Sequence, residues 1–318
     1  MSYDLPDVQS SKDGFHNIPI QKVGVRNIKV PFRLNIKDSD KTFNTIANIS
    51  SYCNLVSDIK GINMSRISRT INEVLGRDNK DGFSNLNDFV YELQKNHGTN
   101  NIFIKANFDY IIKSSSPLTL MESQEPYNIT FETHLNDNII KNYITVKSYE
   151  MSLCPCSREM SLLINNITAD ERYDIESLPN KLRDKILMSG FGAHNQKSEI
   201  EVKVLVNSDS LIWIEDIIDI IKKGASSPTF STLKRLDEKY LTETSYAGGY
   251  FNEKFEFVKV EGTGAKFVED ISRDISYNLN LLLDKTISDY VVVVNNHESI
   301  HSDEIIATAV INANRILN

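Results

Sequence analysis

The sequence predicts an α+β protein of antiparallel sheets and amphipathic helices, arranged as two related modules. Three observations carry that prediction. Apolar and β-branched residues alternate with period two over many segments, as half-buried strands do. Two segments in each half instead repeat their apolar residues at helical spacing. Both halves also run in the same order of strands, two helices and strands, an order-level similarity without a residue-level repeat.

Taken in order, Ile18 to Ile36 and Thr42 to Leu55 read as the first strands. Met64, Ile67, Ile71, Val74 and Leu75 then mark one face of a helix, and a second pattern from Leu86 stops at Gly98. The stretches "NIFIKANFDYIIKS", "YNITFETHL" and "NIIKNYITVKSYEMSLC" return to strand. In the second half Ser198 to Val206 alternates strictly, and Leu211 to Gly224 is a helix closed by lysines and glycine. Ala265 to Lys285 is a second long helix, "DYVVVVNN" a buried strand, and "IIATAVINANRI" its hairpin partner. The expected organisation is a short, polar, mobile leader over 1–17, a first module over 18–150 and a second over 151–318. The second is interrupted at 162–191 by a polar, weakly periodic insertion holding a short helix, "LPNKLRDKILMSG".

Composition narrows the function. With 318 residues, 40% hydrophobic and 25% charged, the chain has the make-up of a soluble globular protein. No apolar run is long enough to span a membrane, and the N-terminus lacks the basic start and apolar stretch of a signal peptide. Three cysteines point to a reducing cytoplasm, and a net charge of −8 disfavours a general nucleic-acid binder. A local basic cluster still suits an anionic small substrate.

The chemistry concentrates in a few stretches. In "SLCPCSREMS", Cys154 and Cys156 flank Pro155 at a strand end, too close for an ordinary disulfide. They read equally as buried small residues or as thiols for a metal or catalysis. His194, in "GFGAHNQKS", is a structural histidine or, if it meets the cysteines in space, part of a zinc-type donor set. Asp237, Glu238 and Glu243 offer carboxylates, or simply a solvated helix face. "NNHESIH" places His297, Glu298 and His301 at the end of an apolar strand, as a polar turn or as part of a site at the sheet rim. Lys60, Arg66 and Arg69 lie at or near a helix start, where an anion is favoured. Spacing alone gives a metal-dependent hydrolase of an anionic small molecule, without naming the substrate.

Six stretches in order, "KGINMSRI", "SLCPCSRE", "GAHNQKS", "LKRLDEKYLTE", "KFVED" and "NNHESIH", resemble the type IB GTP cyclohydrolases, prokaryotic enzymes of folate-type pterin synthesis. The resemblance implies a bimodular tunnelling fold (T-fold), each module an antiparallel sheet with paired helices, forming barrels as a homotetramer with active sites at subunit interfaces. It implies hydrolysis of GTP to 7,8-dihydroneopterin triphosphate and formate, the first step of tetrahydrofolate synthesis, with one divalent metal, zinc or manganese. Carried over by motif, Cys154, His194 and Glu238 are metal ligands and Cys156 is a second active-site thiol close to the reacting base, with both cysteines kept as candidates for the metal. His301 is the acid/base and Glu269 a further active-site carboxylate. Glu298 anchors the guanine edge, and Lys60 and Arg66 receive the triphosphate.

Three departures stand out. The connector from Cys156 to His194 carries the insertion, Lys197 stands where arginine is usual, and Leu236 where proline is usual. Two other readings remain open. One is a same-fold hydrolase of a related purine nucleotide, such as an archaeal-type cyclohydrolase. The other is a non-catalytic metal-binding oligomer.

Overall fold

A computed structural model describes residues 8–12, 15–75, 82–164, 192–208 and 210–313. Ten strands and six α-helices lie among the described residues. In chain order they are β1 (Ile20–Asn35), β2 (Thr42–Leu55), α1 (Met64–Leu75), α2 (Gly82–His97), β3 (Asn101–Ser115), β4 (Glu122–Asn136), β5 (Ile139–Leu153), α3 (Pro155–Ile164) and β6 (Asn195–Val206). There follow α4 (Ile214–Gly224), α5 (Arg235–Ala247), β7 (Gly249–Phe251), β8 (Phe257–Lys259), α6 (Val268–Asn280), β9 (Ile287–His297) and β10 (Ile306–Asn312). Eight strands form one sheet in the order β1-β2-β3-β4-β5-β6-β9-β10, and β7 and β8 form a small ribbon.

The expected bimodular tunnelling fold, with a separate sheet in each half, is therefore corrected. One sheet takes strands from both halves, with β5 beside β6. Alternation reports which face of a strand is buried but not which strand lies beside it, so periodicity could not distinguish one sheet from two. The helix expected in "LPNKLRDKILMSG", and nearly all of the insertion, lie outside the described residues.

The chain divides into two compact units. The first comprises Met1–Tyr110, Asn128–Thr145 and Val204–Trp213. Here β2 pairs antiparallel with both β1 and β3, and its residues Ala47, Ile49, Ser51, Cys53 and Leu55 are buried while those between them are not. Helix α1 buries Ile67, Ile71, Val74 and Leu75, and α2 buries Leu86, Phe89, Val90 and Leu93, the apolar stripes visible in the sequence. Each such side chain contributes about 2 kcal/mol on burial, so packing rather than intrinsic propensity stabilises these helices. Phe131 meets Phe32 and Phe108 edge-on at 6.3 and 5.5 Å. Asp137 and Asn138 join β4 to β5 with φ of 46° and 68°, both in the left-handed region that a tight hairpin turn requires.

The second unit comprises Ile111–Tyr127, Val146–Lys203 and Ile214–Asn318. Helices α4 and α6 pack closely, burying Ile217, Ile218 and Ile221 with Ile271, Ile275 and Leu279. A Cβ on Gly224 would stand 2.4 Å from Cγ1 of Ile275, so only glycine permits this approach. Helix α5 ends at Gly248, whose φ of 75° and N–H bond to the Thr244 carbonyl turn the chain into β7. No helix among the described residues is long and apolar enough to cross a membrane.

Candidate active site

The end of β5 is the anchor of the site. Cys154 follows the strand, its carbonyl accepts the N–H of Arg158, and Pro155 takes the first position of α3, where a missing N–H costs nothing. The Cys154 N–H donates to the His194 carbonyl at 3.2 Å, and the His194 N–H donates to Oγ of Ser157 at 3.3 Å. These bonds draw His194, just before β6, against the first turn of α3. Leu153, Leu162 and Tyr246 form an apolar cluster joined by Ala193 and Ala265, which supports the same junction from beneath. Cys154 and His194 are half-buried and Cys156 is exposed; all three cysteines are free thiols. Nδ1 of His194 is buried without a hydrogen-bond partner.

The end of β9 reaches the same place. Oγ of Ser299 donates to the carbonyl of Asn195 at 2.8 Å, tying the β9–β10 connection to the residue after His194. The Glu298 N–H donates to the Ile305 carbonyl at 3.0 Å and closes that connection, which carries His301 at the surface. Cys154, His194 and Glu298 thus belong to three strand ends, the first two joined by a backbone bond and the third tied in by the Ser299 hydroxyl.

Glu238 and Glu269 occupy corresponding places, each exposed in the first turn of its helix, α5 and α6. Their acidic neighbours are the capping groups. Oδ2 of Asp270 accepts the Phe267 N–H at 3.0 Å. Asp237 is fully buried, and its carboxylate accepts the N–H groups of Leu118, Thr119 and Lys234 and the Thr119 hydroxyl. Burial alone would raise its pKa, but that hydroxyl and the three amides hold it well below the usual carboxylate range. Glu243 accepts from Nζ of Lys239 at 2.7 Å and from the Phe251 N–H at 3.1 Å, which gives it a structural task at β7.

Lys60 and Arg66 belong to the first unit. Arg66 is half-buried and lines a cavity of about 500 Å³ with Asn63, His97 and Asn101. Burial, reinforced by the Arg66 charge, lowers the His97 pKa and favours its neutral form.

Sequence reasoning passed over a buried polar cluster on β4 and β5. Glu150 accepts from Oγ of Ser148 at 2.7 Å and from the Thr229 N–H at 2.8 Å, and Glu125 takes Nζ of Lys222 and the Tyr127 hydroxyl. Burial pushes the Glu150 pKa up to about 7. The signal was present: Val146, Ser148, Glu150 and Ser152 alternate on the buried face of β5, so its inward positions turn polar towards Cys154.

A thiolate and an imidazole are the donors that a borderline-soft metal prefers, and the unpartnered Nδ1 of His194 suits that use. The structure joins the backbones of this pair, and among the described residues no three His, Cys, Asp or Glu side chains converge on one point.

Comparison with known proteins bears on the same residues. Residues 5–307 match the family model described as "Type I GTP cyclohydrolase folE2". The chain is 33% identical to GTP cyclohydrolase FolE2 of Geobacter sp. (strain M21), over 93% of this chain and 91% of that protein. It is 31% identical to GTP cyclohydrolase FolE2 of Thermosipho africanus, over 94% and 95%. Among solved structures, uricase from Arthrobacter globiformis superposes with a TM-score of 0.50 over 92% of both chains at 7% identity, a likeness of fold alone. A mostly antiparallel sheet with six helices among the described residues, alike in fold to that uricase, thus replaces the expected pair of tunnelling-fold modules.

Proposed function

The chain belongs to the type I GTP cyclohydrolase family described as folE2, and on that premise we propose that it hydrolyses GTP to 7,8-dihydroneopterin triphosphate and formate, the entry reaction of folate synthesis. We assign it the finer type IB label on the six motifs that run in that family's order. The observation that carries the site reading is the Cys154 N–H bond to the His194 carbonyl, which joins two of the expected ligands across the insertion.

Within this reading Cys154, His194 and Glu238 hold one divalent metal, zinc or manganese, and Cys156 is a second thiol beside them. The metal supplies Lewis-acid activation of the hydrolytic nucleophile. Glu298 accepts the N–H donors of the guanine edge, a pairing that a carboxylate makes with two oxygens. His301 moves protons at the purine nitrogens, the general acid/base task for which an imidazole offers both a donor and an acceptor nitrogen. Glu269 acts as a further carboxylate, and Lys60 and Arg66 neutralise the triphosphate. The working form is a homotetramer in a reducing cytoplasm, in keeping with three free thiols.

The test is incubation of metal-stripped protein with GTP and added Mn²⁺ or Zn²⁺, with assays for formate and for oxidised-neopterin fluorescence. Both products are expected. Formate without neopterin would favour the archaeal-type reaction, and absence of both would remove the enzyme reading.

A further inference from the structure

Three strands of the second unit end at the rim that carries Cys154, His194 and Glu298, and each sends a buried polar side chain inward next to that end. Ser152 stands two residues before Cys154, Ser198 four after His194, and Asn296 two before Glu298. All three are at most 2% exposed. The Asn296 carboxamide joins them. Its Nδ2 donates to Oγ of Ser152 at 3.0 Å, and its Oδ1 accepts from the Ser198 hydroxyl. Oγ of Ser152 in turn donates to the Lys266 carbonyl at 3.1 Å, which extends the chain to the segment leading into α6 and Glu269.

The chemistry of this arrangement is restrictive. A carboxamide carries a donor and an acceptor at a fixed separation with no charge, so it can bridge two strand ends where a buried carboxylate would need a counter-ion. Because Ser152, Ser198 and Asn296 are all buried from bulk solvent, loss of one partner leaves a buried polar group short of a bond. The bond cannot slide, because a one-residue slip of β9 would turn Asn296 to the opposite face.

We propose that Asn296 is a positioning residue for the reaction, setting the spacing of the β5, β6 and β9 ends so that Cys154, His194 and Glu298 address one bound nucleotide. The inference rests on the site reading given above. It deepens that reading by naming a group that touches neither substrate nor metal. Catalytic groups displaced by about 1 Å cost on the order of 100-fold in rate, so a loosened bridge lowers turnover in molecules that remain folded.

The test uses Ser152→Ala, Ser198→Ala, Asn296→Leu and the Asn296→Leu/Ser152→Ala double variant of the full chain. Turnover of GTP is measured per folded molecule, well below each melting temperature, with kcat and KM separated. Each serine variant removes one hydroxyl and keeps its strand, so these decide the matter if Asn296→Leu does not fold. The expected result is a fall in kcat of about tenfold in each serine variant and about 100-fold in Asn296→Leu, with the double variant no slower than Asn296→Leu alone. A merely structural network would lower the melting temperatures and leave kcat within about twofold of wild type, and that result overturns the proposal. Cys154→Ala serves as the control. If it is inactive while the serine variants keep normal kcat, only the Asn296 inference fails; if it retains turnover, the site reading fails and the inference with it.

Discussion

The N–H of Cys154 and the carbonyl of His194 share a 3.2 Å hydrogen bond, although the whole insertion lies between them in the chain. The bond is made by backbone atoms, so the junction forms whatever the two side chains do. Those side chains are left for chemistry, and Nδ1 of His194 is buried without a partner.

Cys154→Ala and His194→Ala are therefore expected to fold normally and to lose formate release by at least about 100-fold. Melting temperatures within a few degrees of wild type, together with lost turnover, would support direct roles. Retained turnover in either variant would exclude that residue from the chemistry.

Asp237→Asn tests the clamp at the start of α5. The carboxylate accepts four donors, and an amide would turn its own N–H₂ towards at least one of them. The expected cost is about 2–3 kcal/mol, read as a lower urea midpoint with an unchanged slope. A loss below about 0.5 kcal/mol would mean that the turn at Leu118 and Thr119 does not depend on this carboxylate.

Glu150 makes stability fall as pH rises. Its carboxyl gives up its proton near 4.5 in the unfolded chain but holds it to about 7 when folded, so the folded form binds the extra proton between those values. Stability should fall by on the order of 3 kcal/mol from pH 4.5 to 7 through this group and then level off. Glu150→Gln keeps an acceptor for the Thr229 N–H and should remove that part of the slope, leaving the variant the more stable form at pH 8. Urea midpoints of both proteins at pH 5 and pH 8 check the sign.

Lys266→Met removes a buried ammonium whose Nζ donates to the carbonyls of Gly224 and Gly262 at 2.8 and 2.6 Å and pairs with Asp274 at 2.7 Å. The variant leaves both carbonyls without that donor, at a cost of about 3 kcal/mol, and frees the turn before α6. Thermal melting should drop by several degrees. Amide exchange should quicken in α6 before α1, since α1 makes its contacts in the other unit.

Much of the local structure was legible along the chain. The strand read over Thr42 to Leu55 has those ends in the structure, because Ala47, Ile49, Ser51, Cys53 and Leu55 all face one buried side. The stripe from Ile67 to Leu75 appears as α1, and Leu211 to Gly224 shortens only to Ile214–Gly224. The six motifs likewise pointed to the cyclohydrolase family that the comparisons show.

What the sequence by itself determined was most of the long strands and the strongly amphipathic helices, which depend on period and on neighbours a few residues apart. The helices α3 and α5 and the β7–β8 ribbon, short or weakly amphipathic, were not read from it. Only the tertiary structure decided that the strands share one sheet, that Cys154 bonds back to His194, and that Asn296 bridges Ser152 and Ser198. It also showed Asp237 as a clamp and its neighbour Glu238 as exposed, though both are acids at the start of one helix. Those outcomes depend on which groups meet across long stretches of chain, where burial and partner geometry rather than residue type decide what a side chain does.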